Sequence, residues 1–154
     1  MKIINTNNLN EARKQVEKLK KENPEEQVAL LSQDDDFNRK ALEIKNLDML
    51  IINESLDIKD YSKQRNSSLN EVLAKIASQK DIKIGIQIEE IIKKDPKEKA
   101  KSLARLMQNI MLCKKAQTKL VFLNENKELD NHSLQSLLIT LGASTKQASE
   151  CVSD

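Results

Sequence analysis

The sequence predicts an α/β fold built from parallel βα units. Three observations point there. Short β-branched runs alternate five times with longer stretches that carry apolar residues at helical spacing. One short run, Met49-Leu50-Ile51-Ile52, is apolar at every position, as expected of a strand covered on both faces. The longer stretches open with recognisable helix caps. Alternation of this kind implies a parallel sheet with right-handed crossovers.

Taken in order, Lys2-Ile3-Ile4 reads as the first strand, and Asn8 caps a helix to about Lys21 that buries Leu9, Ala12, Val16 and Leu19. Asn23-Pro24 ends it. Gln27–Leu31 is the second strand, after which Asp34 to Asp36 offer N-caps to a helix with Phe37, Ala41 and Leu42 on one face. Asp48–Asn53 is the third strand. A polar loop, Glu54 to Ser67, follows and carries Lys59, Lys63 and Arg65. Ser68 is expected to open the next helix, with Glu71 completing a capping box and Leu69, Val72, Leu73, Ile76 and Ala77 facing inward. Ile82–Gln87 is the fourth strand, with Gly85 inside it marking a close approach or a bend. Ile88 to Lys94 reads as a short helical turn. Asp95-Pro96-Lys97-Glu98 is the clearest helix start: Asp95 caps, Pro96 takes the first helical position and Glu98 closes the box. That helix runs to about Ala116, with Leu103, Leu106, Met107, Ile110 and Cys113 inward and Lys101, Arg105, Lys114 and Lys115 outward or sideways. Lys119–Leu123 is the fifth strand. Ser133 to Leu141 is a helix stopped by Gly142. Ser144 or Thr145 starts a last one.

The 154 residues are expected to form one α/β domain over 1–154. Five units are too few for an ordinary eight-unit barrel. An open sheet with helices on both faces and a partial barrel both remain. The longest apolar runs are far short of the ~20 residues a membrane helix needs. The amino terminus lacks a signal-peptide core. A cytoplasmic protein with no membrane partner is the expectation. Cys113 and Cys151 read as two free thiols, and His132, the only histidine, leaves no structural zinc set. A net charge of +2 is too small for a free-standing nucleic-acid binder, although a local basic patch remains open.

Catalytic machinery is sought in the loops at the carboxyl ends of the strands. Asn5-Thr6-Asn7-Asn8 has no glycine and so no phosphate cradle. Asp34, Asp35 and Asp36, with Glu89, suggest a divalent-metal site; the plainer reading is that the aspartates cap a helix and favour its positive end. Lys59, Lys63 and Arg65 suit phosphate contact or a solvated loop. One histidine does not by itself mark a nucleophile–base–acid set. A binding domain without visible catalytic machinery is the residue-level reading.

Several segments resemble one family, ribonuclease P protein component 3, the archaeal protein-30 subunit. Asn66-Ser67-Ser68-Leu69-Asn70-Glu71-Val72-Leu73-Ala74-Lys75-Ile76-Ala77 is similar to its "SGLN-VLAK-A" stretch, and Ile82–Ile86 to the strand that follows. Ala104–Lys115, the most specific piece, resembles "R-QNI-LC-K"; Leu120-Val121-Phe122 and Leu137–Ala148 follow in matching order. The resemblance spans about Leu47 to Val152 and departs from the family in three places. Ser68 stands where the family has glycine, Asn124-Glu125-Asn126 replaces a Ser-Gly-Ala-like turn, and no Asp-Leu-His-like motif opens the chain.

The resemblance implies a reduced TIM-barrel-like fold of about five strands with an extra C-terminal helix. It also implies a non-catalytic role in an enzyme whose RNA removes the 5′ leader of precursor tRNA. Implied partners are ribonuclease P RNA and component 2, with precursor tRNA met indirectly. No cofactor is implied, since Mg²⁺ belongs to the RNA. The RNA-facing candidates are Lys63, Arg65, Arg105, Asn109, Lys114 and Lys115. For Asn109 a buried hydrogen bond, and for Lys114 and Lys115 compensation of a helix dipole, are the competing structural roles. A small metal-dependent phosphoesterase using Asp34, Asp35, Asp36 and Glu89, or a generic protein-interaction domain, are the alternatives.

Overall fold

A computed structural model describes the chain apart from residues 57–58, 63–64, 125–128 and 153–154. Its elements are β1 (Lys2–Ile4), α1 (Leu9–Glu22), β2 (Val28–Leu31), α2 (Asp35–Ala41), β3 (Met49–Ile52), α3 (Glu71–Gln79), β4 (Lys83–Gln87), α4 (Ile88–Ile92), α5 (Pro96–Ala116), β5 (Leu120–Leu123), α6 (Asn131–Thr140) and α7 (Thr145–Cys151). The five strands form one parallel sheet in the order β1-β2-β3-β4-β5.

Strand order settles the alternative left open by periodicity. A doubly wound sheet must reverse its order at a switch point. Here each strand lies beside its predecessor, so right-handed crossovers place all the helices on one face. The fold is a reduced, TIM-barrel-like α/β sheet with α7 as the extra C-terminal helix.

Side chains divide accordingly. Ile4, Val28, Leu30, Leu50, Ile52, Ile84, Ile86, Leu120 and Phe122 point into the main core beneath the helices. Ala29, Met49, Ile51 and Val121 form a smaller cluster on the opposite face. Gly85 belongs to that second face, paired with Ile51 and Val121. A Cβ there would lie 2.6 Å from Met49 Sδ and 3.0 Å from Ile51 Cγ1. The glycine lets Met49 lie across β4, which is the close approach expected at this position.

Most helix starts fall where the caps place them. Asn8, Asp34, Asp95 and Ser144 each accept backbone N–H groups from the first turn of their helices. Four expectations need correction, the first being that α6 opens at Asn131 under an Asp130 cap, with Ser133 in its first turn and not at its start. Helix α3 is capped by Asn70, whose side chain accepts from Leu73 N, and not by Ser68. Ser68 sits at φ 57°, in the left-handed region, one residue before the buried Leu69. Val72 and Met107 are exposed at 57% and 46%, because the inward arcs of their helices are filled by Leu73, Ala74 and Ala77 and by Leu106, Ile110 and Cys113. Glu98 does not close a box either; its carboxylate holds Lys101 at 2.7 Å.

Cys113 and Cys151 are free and buried, and burial pushes both thiols up to about 12. Among the described residues no helix is long and apolar enough to cross a membrane.

Candidate nucleic-acid interface

The loop leaving β3 is the longest described connection at the carboxyl end of the sheet. Side chains from α5 hold much of it in place. At its start, Glu54 is 8% exposed. Its Oε2 accepts from Lys94 Nζ at 2.8 Å and from Ser102 Oγ at 2.7 Å. Lys94 Nζ also donates to the Glu54 carbonyl at 2.8 Å and to Ser102 Oγ at 2.7 Å. A carboxylate this deep is tolerable only because an ammonium and a hydroxyl complete its hydrogen bonding.

Further along, Asp60 Oδ1 accepts from Asn66 N at 2.9 Å and from Arg105 Nη2 at 3.1 Å. The Asn66 N–H, and then the Arg105 guanidinium, hold the Asp60 carboxyl below its usual range. One turn on, Gln108 Nε2 donates to Arg65 O at 3.1 Å and Ser67 Oγ at 3.0 Å. Asn109 Nδ2 donates to Ser67 O at 3.3 Å. From the other side, the buried Asn38 donates to Ser68 O at 3.4 Å and to Gln33 O at 3.1 Å. Asp60 and residues 65–68 are therefore gripped by α5 on one side and by Asn38 of α2 on the other.

The candidate residues separate under this geometry. Arg65 is exposed on the loop, with its carbonyl fixed by Gln108. Arg105 has an 18% exposed side chain committed to Asp60, and Asn109 is buried. Spaced one turn apart, Arg105 and Asn109 do act together, on the protein's own loop. Lys114 and Lys115 lie in the last turn of α5, roughly 14 Å down its axis from Arg105 at 1.5 Å per residue. Lys115 pairs with Glu71 at 3.2 Å. Lys63 falls outside the described residues, as do Glu125 and Asn126 of the turn after β5.

The acidic residues do not converge. Asp34 caps α2, Asp36 pairs with Lys40 at 2.6 Å, and Asp35 Oδ2 accepts from Tyr61 Oη at 3.1 Å. Glu89 is buried in α4. Among the described residues, no three His, Cys, Asp or Glu side chains are grouped to hold a metal ion. A cleft of about 570 Å³ lies beside them, walled by Asp34, Asp35, Asp36, Lys59, Tyr61 and Asn66. Among the described residues its wall carries three carboxylates against one ammonium, a balance that does not favour a phosphate. Among the described candidates, Arg65 on the loop and Lys114 and Lys115 at the end of α5 are the exposed cations.

Residue-level reading did not single out Asp60, Glu54, Lys94, Ser102, Gln108 or Asn38 as organisers of the loop. The long-range contacts by which they hold the loop span 30 to 48 positions and leave no local pattern.

No family model matches the sequence, and no curated protein matches it. Among solved structures, the chain is similar to a chain in a cryo-EM structure of archaeal Ribonuclease P with mature tRNA. The likeness has a TM-score of 0.78 at 24% sequence identity and covers 97% of this chain and 62% of that one. The present chain thus spans about three fifths of the length of the chain it resembles. At this identity the likeness establishes the shared fold.

Proposed function

We propose that the protein is a non-catalytic subunit of an archaeal-type ribonuclease P, of the component 3 type. In this reading it binds component 2 and the enzyme's RNA in the cytoplasm and supports removal of the 5′ leader from precursor tRNA. The observation that carries the reading is the fold likeness, over nearly the whole chain, to a chain of an archaeal ribonuclease P structure. The ordered series of family-like segments from Leu47 to Val152 supports it. The clamped loop supports it too: a loop held before RNA arrives costs less order on binding.

The proposed mechanism is electrostatic. The exposed Arg65, with Lys63 on the same loop, neutralises backbone phosphates and positions the RNA, while any Mg²⁺ is held by the RNA. Arg105 and Asn109 serve at one remove, by presenting the segment that carries Arg65.

Reconstitution with cognate RNA and component 2 tests the reading. Adding this chain should lower the Mg²⁺ concentration required for precursor-tRNA cleavage. Unchanged cleavage at every Mg²⁺ concentration would sink the proposal. In the reconstituted complex, Arg65→Ala should reduce the slope of log K against log salt by about 1.

A further inference from the structure

The outward face of α5 carries a second apolar stripe that the fold does not use. Ala100, Ala104, Met107 and Met111 follow one another at intervals of four, three and four residues. At 100° per residue they fall within an arc of about 60°. That arc lies opposite the buried face of Ser102, Leu106, Asn109, Ile110 and Cys113. Met107 and Met111 are 46% and 66% exposed. Alternating three- and four-residue spacing is the seam along which two helices pack. Alanine in the upper half lets a partner backbone come close, and the flexible methionines below can fill an irregular surface.

Charge narrows the occupant. Helix α5 holds six cationic side chains against one carboxylate, so it is strongly basic within a chain of net charge +2. Lys97, Lys101, Lys114 and Lys115 border the stripe, Lys101 held by Glu98 at 2.7 Å and Lys115 by Glu71 at 3.2 Å, and no acidic side chain of the helix lies on the stripe itself. Nucleic acid would match the excess positive charge but leave the methionine pair facing sugar and phosphate. A helix with an apolar seam and carboxylates on either side satisfies both.

We infer that the outer face of α5 docks an acidic amphipathic helix of a protein partner, with Met107 and Met111 as its apolar anchors and the bordering lysines setting its orientation. The inference stands on α5 and does not depend on the ribonuclease P reading.

The test uses the full chain with ¹³C-labelled methionine methyls, which give four signals, two of them from the stripe. The probe is a synthetic helical peptide of about six turns, the length of α5, with leucine at the seam positions and glutamate beside them. The Met107 and Met111 methyls should shift and saturate while the buried Met49 methyl stays in place. Met111→Glu should weaken binding about tenfold or more, and Met111→Leu should retain it. An unmoved Met49 signal confirms that each variant is folded. Any of four results overturns the inference. They are no shift, an equal response to a scrambled peptide of the same composition, larger shifts at the two methyls with a uridine-rich RNA oligonucleotide, and movement of these methyls on raising protein concentration alone.

Discussion

Replacing Lys94 by methionine tests whether the loop after β3 is held by a buried ion pair or merely decorated by one. The variant removes the ammonium that touches Glu54 Oε2, the Glu54 carbonyl and Ser102 Oγ at 2.7–2.8 Å. It leaves a carboxylate that is 8% exposed with the Ser102 hydroxyl as its remaining partner at 2.7 Å. Stranding one member of a fully buried pair costs about 3–5 kcal/mol. Lys94 itself is 23% exposed, so water softens the loss, and about 2–3 kcal/mol is expected. At about 2–4 °C per kcal/mol for a domain of this size, the midpoint should fall by roughly 5–10 °C. Thermal and urea unfolding followed by circular dichroism measure it, and an unchanged urea slope would confirm that the loss is one of stability. Adding Glu54→Gln to Lys94→Met should recover part of the loss, because the stranded charge is gone. The reasoning is refuted if Lys94→Met costs less than about 1 kcal/mol, the scale of an exposed pair, or if the double variant is no better than the single one.

Three other expectations follow from local geometry. Gly85→Ala introduces a Cβ 2.6 Å from Met49 Sδ, so overpacking of about 1–3 kcal/mol should outweigh the backbone-entropy gain of about 0.5–1 kcal/mol, and Met49→Ala in the same chain should cancel the overpacking part in a double-mutant cycle. Asn70→Ala should cost about 1 kcal/mol by removing the cap of α3, whereas Ser68→Gly should hold or raise stability by relieving a left-handed residue; denaturant midpoints distinguish the two. Asp60 titrates below its ordinary value of 3.8, so its contribution to stability is present above that value and is lost as pH falls through the lower, folded one. NMR titration of the carboxyl should show Arg105→Ala raising the folded value only part of the way, since the Asn66 N–H, the larger cause, remains.

Helix starts were legible because short-range chemistry writes them. Asn8, Asp34 and Asp95-Pro96 satisfy orphan N–H groups within three residues, and nothing distant competes. The start of α3 was not, because Ser68 and Asn70 are both capping residues close to Glu71. The choice between them depends on seating Leu69 in the core, which forces Ser68 into the conformation that glycine adopts freely. That is also a physical reason for glycine at this position in the family the segment resembles.

Met107 shows the limit of periodicity. It stands four residues after Leu103 and three before Ile110, so spacing alone admits it inward, and the register of the buried residues around it leaves it 46% exposed. The candidate interface was half legible. Arg105 and Asn109 stand out as a pair on one helix, but what they grip comes from more than forty residues away. The trio of Glu54, Lys94 and Ser102 has no sequence signature at all.

Strands laid down in chain order also bear on how the molecule comes to be. Every strand after the first docks against one already synthesised, so a nascent polypeptide leaving the ribosome can extend its sheet one unit at a time, without waiting for a distant segment to thread between finished neighbours.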